Sequence, residues 1–246
     1  MKALILAGGR GKRLNERSSD LNKCMLPMNG RPLISYSLNN AVRAGVSEIV
    51  IVVGYRAEDI INEFGNEYNG TRIRYAIQHE RKGLVHAIET AREAIDGHDF
   101  MTFLGDEVMV GPRHSEMIRY FGTEGCFVTC GVIHAKDTSE ISRTYAVIQD
   151  DGDTVFRLIE KPRRPLNSTQ GTGNCIFRNA IFDYIEETPI SQKRGEKELV
   201  DMIQCAIDDG QTVKTFNIGS EYFNINIEED IERFEKLLRD AGRRES

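Results

Sequence analysis

Leu6-Ala7-Gly8-Gly9-Arg10-Gly11-Lys12-Arg13-Leu14 packs glycines and cations directly after the apolar run Leu4-Ile5-Leu6. Glycines let backbone N–H groups approach and wrap a phosphate, and the cations offset its charge. The spacing excludes a Walker A loop. Aligning Gly11-Lys12 with its Gly-Lys pair puts Leu6 where the first glycine belongs and Arg13 where Ser or Thr would hold magnesium. A dinucleotide fingerprint fails too, because Leu14 stands where a third small residue should. Taken alone, the same glycines also suit an ordinary tight turn. Lys23 lies in Asn22-Lys23-Cys24-Met25-Leu26-Pro27-Met28, whose apolar residues would dock the segment against the core. An anchored lysine can reach a phosphate held by the glycine loop, whereas a solvated loop lysine could not keep that geometry. Asp106 follows an apolar run and Gly105, so its carboxylate is free to face a cleft or to cap the next turn.

The elements that must position these residues read clearly in the first half. A buried strand over 4–6 feeds the glycine loop, and Pro32 opens a helix with apolar residues at helical spacing that Gly45 stops. Strands follow at 49–53, 73–77 and 100–104, with helices at 57–64 and 87–95 between them. This alternation predicts an α/β protein of Rossmann-like type, with ligands at the carboxyl ends of the strands. The loops after Leu6 and Leu104 fall at such ends. In the second half, 126–133 reads as a strand, 145–148 and 155–159 as a hairpin about Asp150-Asp151-Gly152-Asp153, and 175–177 as a short strand. Helices are predicted at 180–187, 198–209 and 228–241, and 163–171 reads as a mobile segment. One domain over 1–246 is expected, with a nucleotide-binding half over 1–110. An acceptor-binding half with the C-terminal helices fills 111–246.

Several motifs in order resemble the sugar-1-phosphate nucleotidyltransferase family. They are Leu6 to Leu14, Lys23, Leu26-Pro27, Gly30-Arg31-Pro32-Leu33-Ile34, Gln78 with Gly83-Leu84-Val85-His86-Ala87, Leu104-Gly105-Asp106, Tyr145-Ala146-Val147-Ile148, Glu160-Lys161-Pro162 and Tyr222-Phe223-Asn224-Ile225-Asn226. The resemblance spans nearly the whole chain. It implies a mostly parallel mixed sheet flanked by helices, with a smaller β-rich acceptor-binding lobe.

It also implies roles. Leu6, Ala7, Gly8, Gly9 and Gly11 would hold a nucleoside triphosphate, with Arg13 on the departing β- and γ-phosphates. Lys23 would ease repulsion between the α-phosphate and the incoming phosphate. Gln78 and the Gly83 backbone would read a pyrimidine, pointing to dTTP, UTP or CTP. Asp106 would bind Mg2+ with Asn226, Asn224 being its competitor. Arg13, Lys23 and Asp106 would carry catalysis.

On the acceptor side the resemblance names Tyr145, Ala146, Glu160, Lys161 and Asn174. Glu196 and Glu198 resemble a segment that touches the sugar, and they also suit the first turn of a helix. Ala146 and Glu107 depart from the family's pattern, and the acceptor is a sugar 1-phosphate or, in the alternative, phosphocholine, an inositol phosphate or a phosphonate used with CTP. A non-catalytic nucleotide-sugar-binding subunit is a further alternative, opposed by the presence of Arg13, Lys23 and Asp106. An ionised acceptor phosphate needs no general base, so alignment and charge stabilisation suffice.

Composition bounds the partners. The 246 residues carry a net charge of −6, which argues against a nucleic-acid-binding surface while leaving room for small phosphorylated ligands. No apolar run is long enough to cross a bilayer. Five cysteines without a C-x-x-C pair read as reduced and structural, which implies the cytoplasm. A homo-oligomer is expected from the resemblance.

Overall fold

The structure, a computed structural model, describes residues 1–10 and 21–242. The chain runs β1 (Lys2–Ala7), β2 (Pro27–Met28), β3 (Arg31–Pro32), α1 (Ile34–Ala44), β4 (Ile49–Val53), α2 (Ala57–Phe64), β5 (Glu67–Tyr68), β6 (Thr71–Ile77), α3 (Leu84–Thr90), α4 (Arg92–Ile95) and β7 (Phe100–Leu104). It continues through β8 (Glu107–Val110), α5 (His114–Glu124), β9 (Val128–His134), β10 (Tyr145–Gln149), β11 (Val155–Glu160), β12 (Thr169–Phe177), α6 (Leu199–Asp208), β13 (Val213–Asn217), β14 (Glu221–Asn224) and α7 (Glu228–Gly242).

At the centre, β6, β4, β1 and β7 lie side by side and parallel. The chain moves outward from β1 to β4 and β6, then crosses back to place β7 on the other side of β1. That reversal opens a crevice between the loops after β1 and β7, where α/β sheets bind ligands. Strand β4, Ile-Val-Ile-Val-Val, is buried along its length, as expected of a parallel strand covered on both faces. Each of these side chains contributes roughly 1.5–3 kcal/mol by burial. The side chains of Ala3, Ile5, Ile51 and Val53 pack with α1 and α5 on one face, and those of Leu4, Leu6, Val50 and Val52 pack with α3, α4 and α6 on the other.

The second half extends the same sheet in antiparallel fashion. Strand β12 pairs with β7 through Ile176 and Phe177 and with β10 through Gly171 and Gln170, and β9 runs along its other edge. Its register shifts between Gly171 and Cys175, so the strand bends beside the crevice. A two-stranded ladder of β8 and β14 pairs Glu107 with Asn224. Asp106, just before β8, thereby meets Asn226, just after β14, and the Ile225 N–H donates to the Asp106 carbonyl at 3.0 Å.

Three boundaries differ from the sequence pattern. Pro32 belongs to β3 and α1 begins at Ile34, because the Leu33 N–H is bonded to the Leu26 carbonyl at 2.9 Å. The expected helix over 180–187 is a 3-10 helix, Asn179–Tyr184, pinned at its start where Asp99 accepts from the Asn179 N–H at 2.9 Å. Residues 169–171 are strand rather than mobile loop. No helix among the described residues is long and apolar enough to cross a membrane.

Candidate active site

At the carboxyl ends of β1, β4 and β6 the backbones crowd together. A Cβ on Gly8 would lie 2.8 Å from Gln78 Oε1, and one on Gly54 would lie 2.9 Å from the Gly8 carbonyl. Gln78 is held by its own N–H on the Val53 carbonyl at 2.8 Å. Its Nε2 donates to the Gly83 carbonyl at 3.3 Å and faces His86 Nδ1 at 2.9 Å. Gly83 has φ +94°, and a Cβ there would meet the Glu196 side chain at 2.8 Å, so glycine is required on both counts. Leu6, Gly8, Gly9, Gln78 and Gly83 line a cavity of about 430 Å³. Ala7 lies behind it, its carbonyl accepting from Asn22 Nδ2 at 3.1 Å. Gly11 and Arg13 lie outside the described residues.

Lys23 stands on a single 3-10 turn, Lys23–Met25, capped by Asn22, whose Oδ1 accepts from the Cys24 N–H at 2.8 Å. Asn22 is fully buried and also donates to the Tyr55 carbonyl at 2.7 Å, so it ties the turn to the loops after β1 and β4. Gly105 allows Cys24 to pack closely, since a Cβ there would be 2.9 Å from its Sγ. Lys23 Nζ therefore reaches Asp106 Oδ2 at 2.5 Å and Asn226 Oδ1 at 2.9 Å. Asn226 spends its Nδ2 on Asn224 Oδ1 at 2.5 Å, which turns its own oxygen toward Lys23. Asp230 fixes the Asn226 loop by accepting from the Asn226 and Ile227 N–H groups at 2.8 and 3.0 Å and from both Arg143 Nη atoms at 2.8 and 2.7 Å. Burial alone would raise the Asp230 carboxyl, but Arg143 and those two N–H groups hold it below the usual carboxylate range.

Across the cavity the wall is charged. Lys161, in the left-handed region at φ +43°, bonds Glu160 Oε1 at 2.6 Å. Arg194 lies 4.0 Å from Glu160, 3.4 Å from Glu198 and against Glu196. Glu198 is buried, its Oε1 has no hydrogen-bond donor among the described residues, and burial raises its pKa. Tyr145 lines the cavity over Gly171, where a Cβ would come 1.9 Å from its ring.

Glu107, which also lines the cavity, accepts from the Gly173 N–H at 3.2 Å, from Asn174 Nδ2 at 3.1 Å and from the Tyr222 hydroxyl. Burial pushes the Glu107 carboxyl up to about 8, although the Tyr222 bond works against that. His114 bonds Asn174 Oδ1 at 3.0 Å, and burial lowers its pKa to about 4.

The family model for nucleotidyl transferase matches residues 2–223. The chain belongs to the nucleotidyl transferase family. It is 32% identical over 240 residues to the UTP–glucose-1-phosphate uridylyltransferase AglF of Haloferax volcanii, covering 98% of this chain and 97% of that protein. It is 31% identical over 216 residues to the glucose-1-phosphate thymidylyltransferase of Streptomyces griseus, covering 87% of this chain and 59% of that one. Its fold matches a UDP-glucose pyrophosphorylase solved with UDP-glucose, at TM-score 0.87 and 20% identity over 98% of both chains.

Within this nucleotidyltransferase one cavity gathers Leu6, Gly8, Gly9, Lys23, Gln78, Gly83, Asp106, Tyr145, Glu160 and Lys161. Two residues read as acceptor contacts do not line it. Ala146 is buried in β10 opposite Gln170 and Ile159. Asn174 is buried with its amide taken up by His114 and Glu107, because the bend in β12 turns it behind the wall. The sequence reading missed Asn22, Arg143, Arg194 and Asp230. Arg194, a few residues before the Glu196 and Glu198 that were noted, was the one with a local signal.

Proposed function

We propose that the chain transfers the nucleotidyl group of UTP or dTTP to glucose 1-phosphate and releases pyrophosphate. The observation that carries this reading is the convergence of Asp106 Oδ2 and Asn226 Oδ1 on Lys23 Nζ, in the cavity that Gln78, Glu160, Lys161 and Arg194 also line. An oxygen of the acceptor phosphate attacks the α-phosphorus, a new P–O bond forms, and the bond to the β-phosphoryl oxygen breaks in line. Lys23 offsets the charge of the two phosphates as they approach. Gly8 and Gly9 let the backbone close on the triphosphate, and Gln78 faces the base. Lys161 and Arg194 attract the acceptor phosphate, while Glu160, Glu196 and Glu198 accept hydrogen bonds from hydroxyls. Three carboxylates can accept hydrogen bonds from a polyhydroxylated acceptor.

The Asp106 and Asn226 oxygens already approach one cation, Lys23, and form a hard donor pair of the kind magnesium takes together with phosphate oxygens. Asp106 and Asn226 would hold Mg2+, which when bound supplies Lewis-acid neutralisation of phosphate charge. Asn226 rather than Asn224 serves there, because the Asn224 oxygen is occupied by the Asn226 amide. Pyrophosphate release measured with ATP, GTP, CTP, UTP and dTTP against glucose 1-phosphate, phosphocholine and inositol phosphate tests the reading. Turnover with UTP or dTTP and glucose 1-phosphate is expected, and turnover confined to the non-sugar acceptors would overturn it.

A further inference from the structure

We propose that His86 is a positioning residue that sets which way the Gln78 amide faces, and that it thereby makes the site select uracil and thymine over cytosine. The inference rests on the reading of Gln78 as the residue that meets the base. An amide offers a donor on one side and an acceptor on the other, and its orientation follows from its partners. The Gly83 carbonyl, 3.3 Å from Gln78 Nε2, can only accept. The second hydrogen of the same nitrogen points to His86 Nδ1 at 2.9 Å. A neutral imidazole with its proton on Nε2 offers a lone pair there. Both partners sit at the start of α3, one turn apart: the Gly83 carbonyl demands the NH2 group, and His86 in that tautomer accepts its second hydrogen. Gln78 Oε1 is left facing the Gly8 backbone, where a Cβ would be 2.8 Å away. No described residue donates to that oxygen.

An acceptor presented to N3 of a pyrimidine has a definite consequence. Uracil and thymine carry a proton on N3 and can donate to Oε1. Cytosine in the same pose brings a lone pair against a lone pair. With the amide turned over, NH2 would face the base and the preference would invert. The Gly83 carbonyl alone leaves one amide hydrogen without a partner, so His86 supplies the second constraint that holds the orientation. Asparagine places Oδ1 one bond from Cγ, as histidine places Nδ1, and so reproduces the acceptor. Leucine fills similar space without one.

The test compares kcat/KM for UTP with that for CTP, at saturating glucose 1-phosphate, in the parent, His86→Leu and His86→Asn, with melting temperature followed for each. The UTP-to-CTP ratio is expected to fall about three- to tenfold in His86→Leu, as for one lost hydrogen bond, and to return in His86→Asn. A general packing role would alter both nucleotides together and leave the ratio unmoved. An unchanged ratio in His86→Leu, with UTP preferred by the parent, would overturn the role of His86 while leaving the base reading intact. A parent that prefers CTP or a purine would overturn the base reading itself, and the inference with it. If His86→Leu does not fold, the ratio in His86→Asn and in His86→Ala decides: a parental ratio in the alanine variant overturns the proposal.

Discussion

Where β1, β4 and β6 end, the described part of the cavity wall is mainly backbone, with one amide and the Arg81 side chain: Gly8 and Gly83, with Gly54 packed behind Gly8, leave no room for a methyl group, and Gln78 is fixed by three hydrogen bonds. Where β10 begins, β11 ends and α6 begins, the wall carries charged side chains, Glu160, Lys161, Arg194, Glu196 and Glu198, paired with one another. The first end is pre-shaped and offers a ligand little to rearrange. At the second, under the proposed function, a phosphate would have to compete with carboxylates for Lys161 and Arg194 while hydroxyls take over the carboxylates, so binding there would exchange partners. Shape governs one end and charge balance the other. Substitutions should therefore act on the first through steric fit and on the second through electrostatics.

The largest effect is expected at the residue that joins the two ends. Lys23, 6% exposed, holds Asp106 and Asn226 together and, in the proposed reaction, would offset the charge of the two phosphates. Lys23→Met keeps the length of the side chain and removes its charge. It should lower kcat by about 10²–10³, the scale of a lost preorganised charge contact, with a circular dichroism spectrum like the parent's. A loss below about tenfold would mean that the two ends work without this junction.

How far each end could be read from the sequence follows from how local its contacts are. The strands at 49–53 and 100–104 and the helix at 57–64 coincide with β4, β7 and α2, because their apolar spacing is set within one element. The glycines of the first end follow a strand directly and announce themselves. Gly171 misled instead: it closes the segment 163–171 that reads as mobile, whereas Gly171 and Gly173 let β12 pass under Tyr145 and Leu104, whose atoms would stand 1.9 and 2.3 Å from an added Cβ. The partnership of Asp106 with Asn226 came from the resemblance alone, since only the pairing of β8 with β14 brings the two together. Asn22 ties its turn to Ala7 and Tyr55, and Arg143 and Asp230 meet each other across the chain, so the long-range half of what these residues do has no mark in their local spacing.

Beneath the charged end lies a buried polar chain with no counterpart at the other: His114 to Asn174 to Glu107 to Tyr222. The His114 pKa is lowered from 6.5 to about 4 by burial. Between those values the unfolded chain binds a proton that the folded one does not, so stability is full above about pH 6.5 and falls as pH drops toward 4. The full swing is roughly 3 kcal/mol. Glu107, raised to about 8, acts in the opposite sense: its contribution favours folding as pH falls from about 8 toward 4.5. Comparison with His114→Gln, which keeps a donor for Asn174 and cannot titrate, isolates the histidine. Urea unfolding of both proteins from pH 7 to pH 4 should show the parent losing stability relative to the variant as pH falls. A constant difference across that range would remove His114 as the source.

The smallest expected effect separates the two ends most cleanly. Arg194 faces three carboxylates, with Lys161 as the other cation beside them. Arg194→Ala would leave Glu160, Glu196 and Glu198 turned toward an incoming dianionic phosphate with one positive charge to offset them. A partly exposed charge contact of this kind is worth about 1–2 kcal/mol, so KM for glucose 1-phosphate should rise about tenfold. The Gln78 end is shaped by the Gly8 and Gly83 backbone, and none of the Gln78 hydrogen bonds involves Arg194, so KM for UTP should stay near the parental value. Arg194→Lys restores the charge but not the fork that spans three carboxylates, and it should recover part of the loss. Equal increases in both constants would show that Glu196, which packs against Gly83, transmits the change across the cavity and that the two ends are mechanically one.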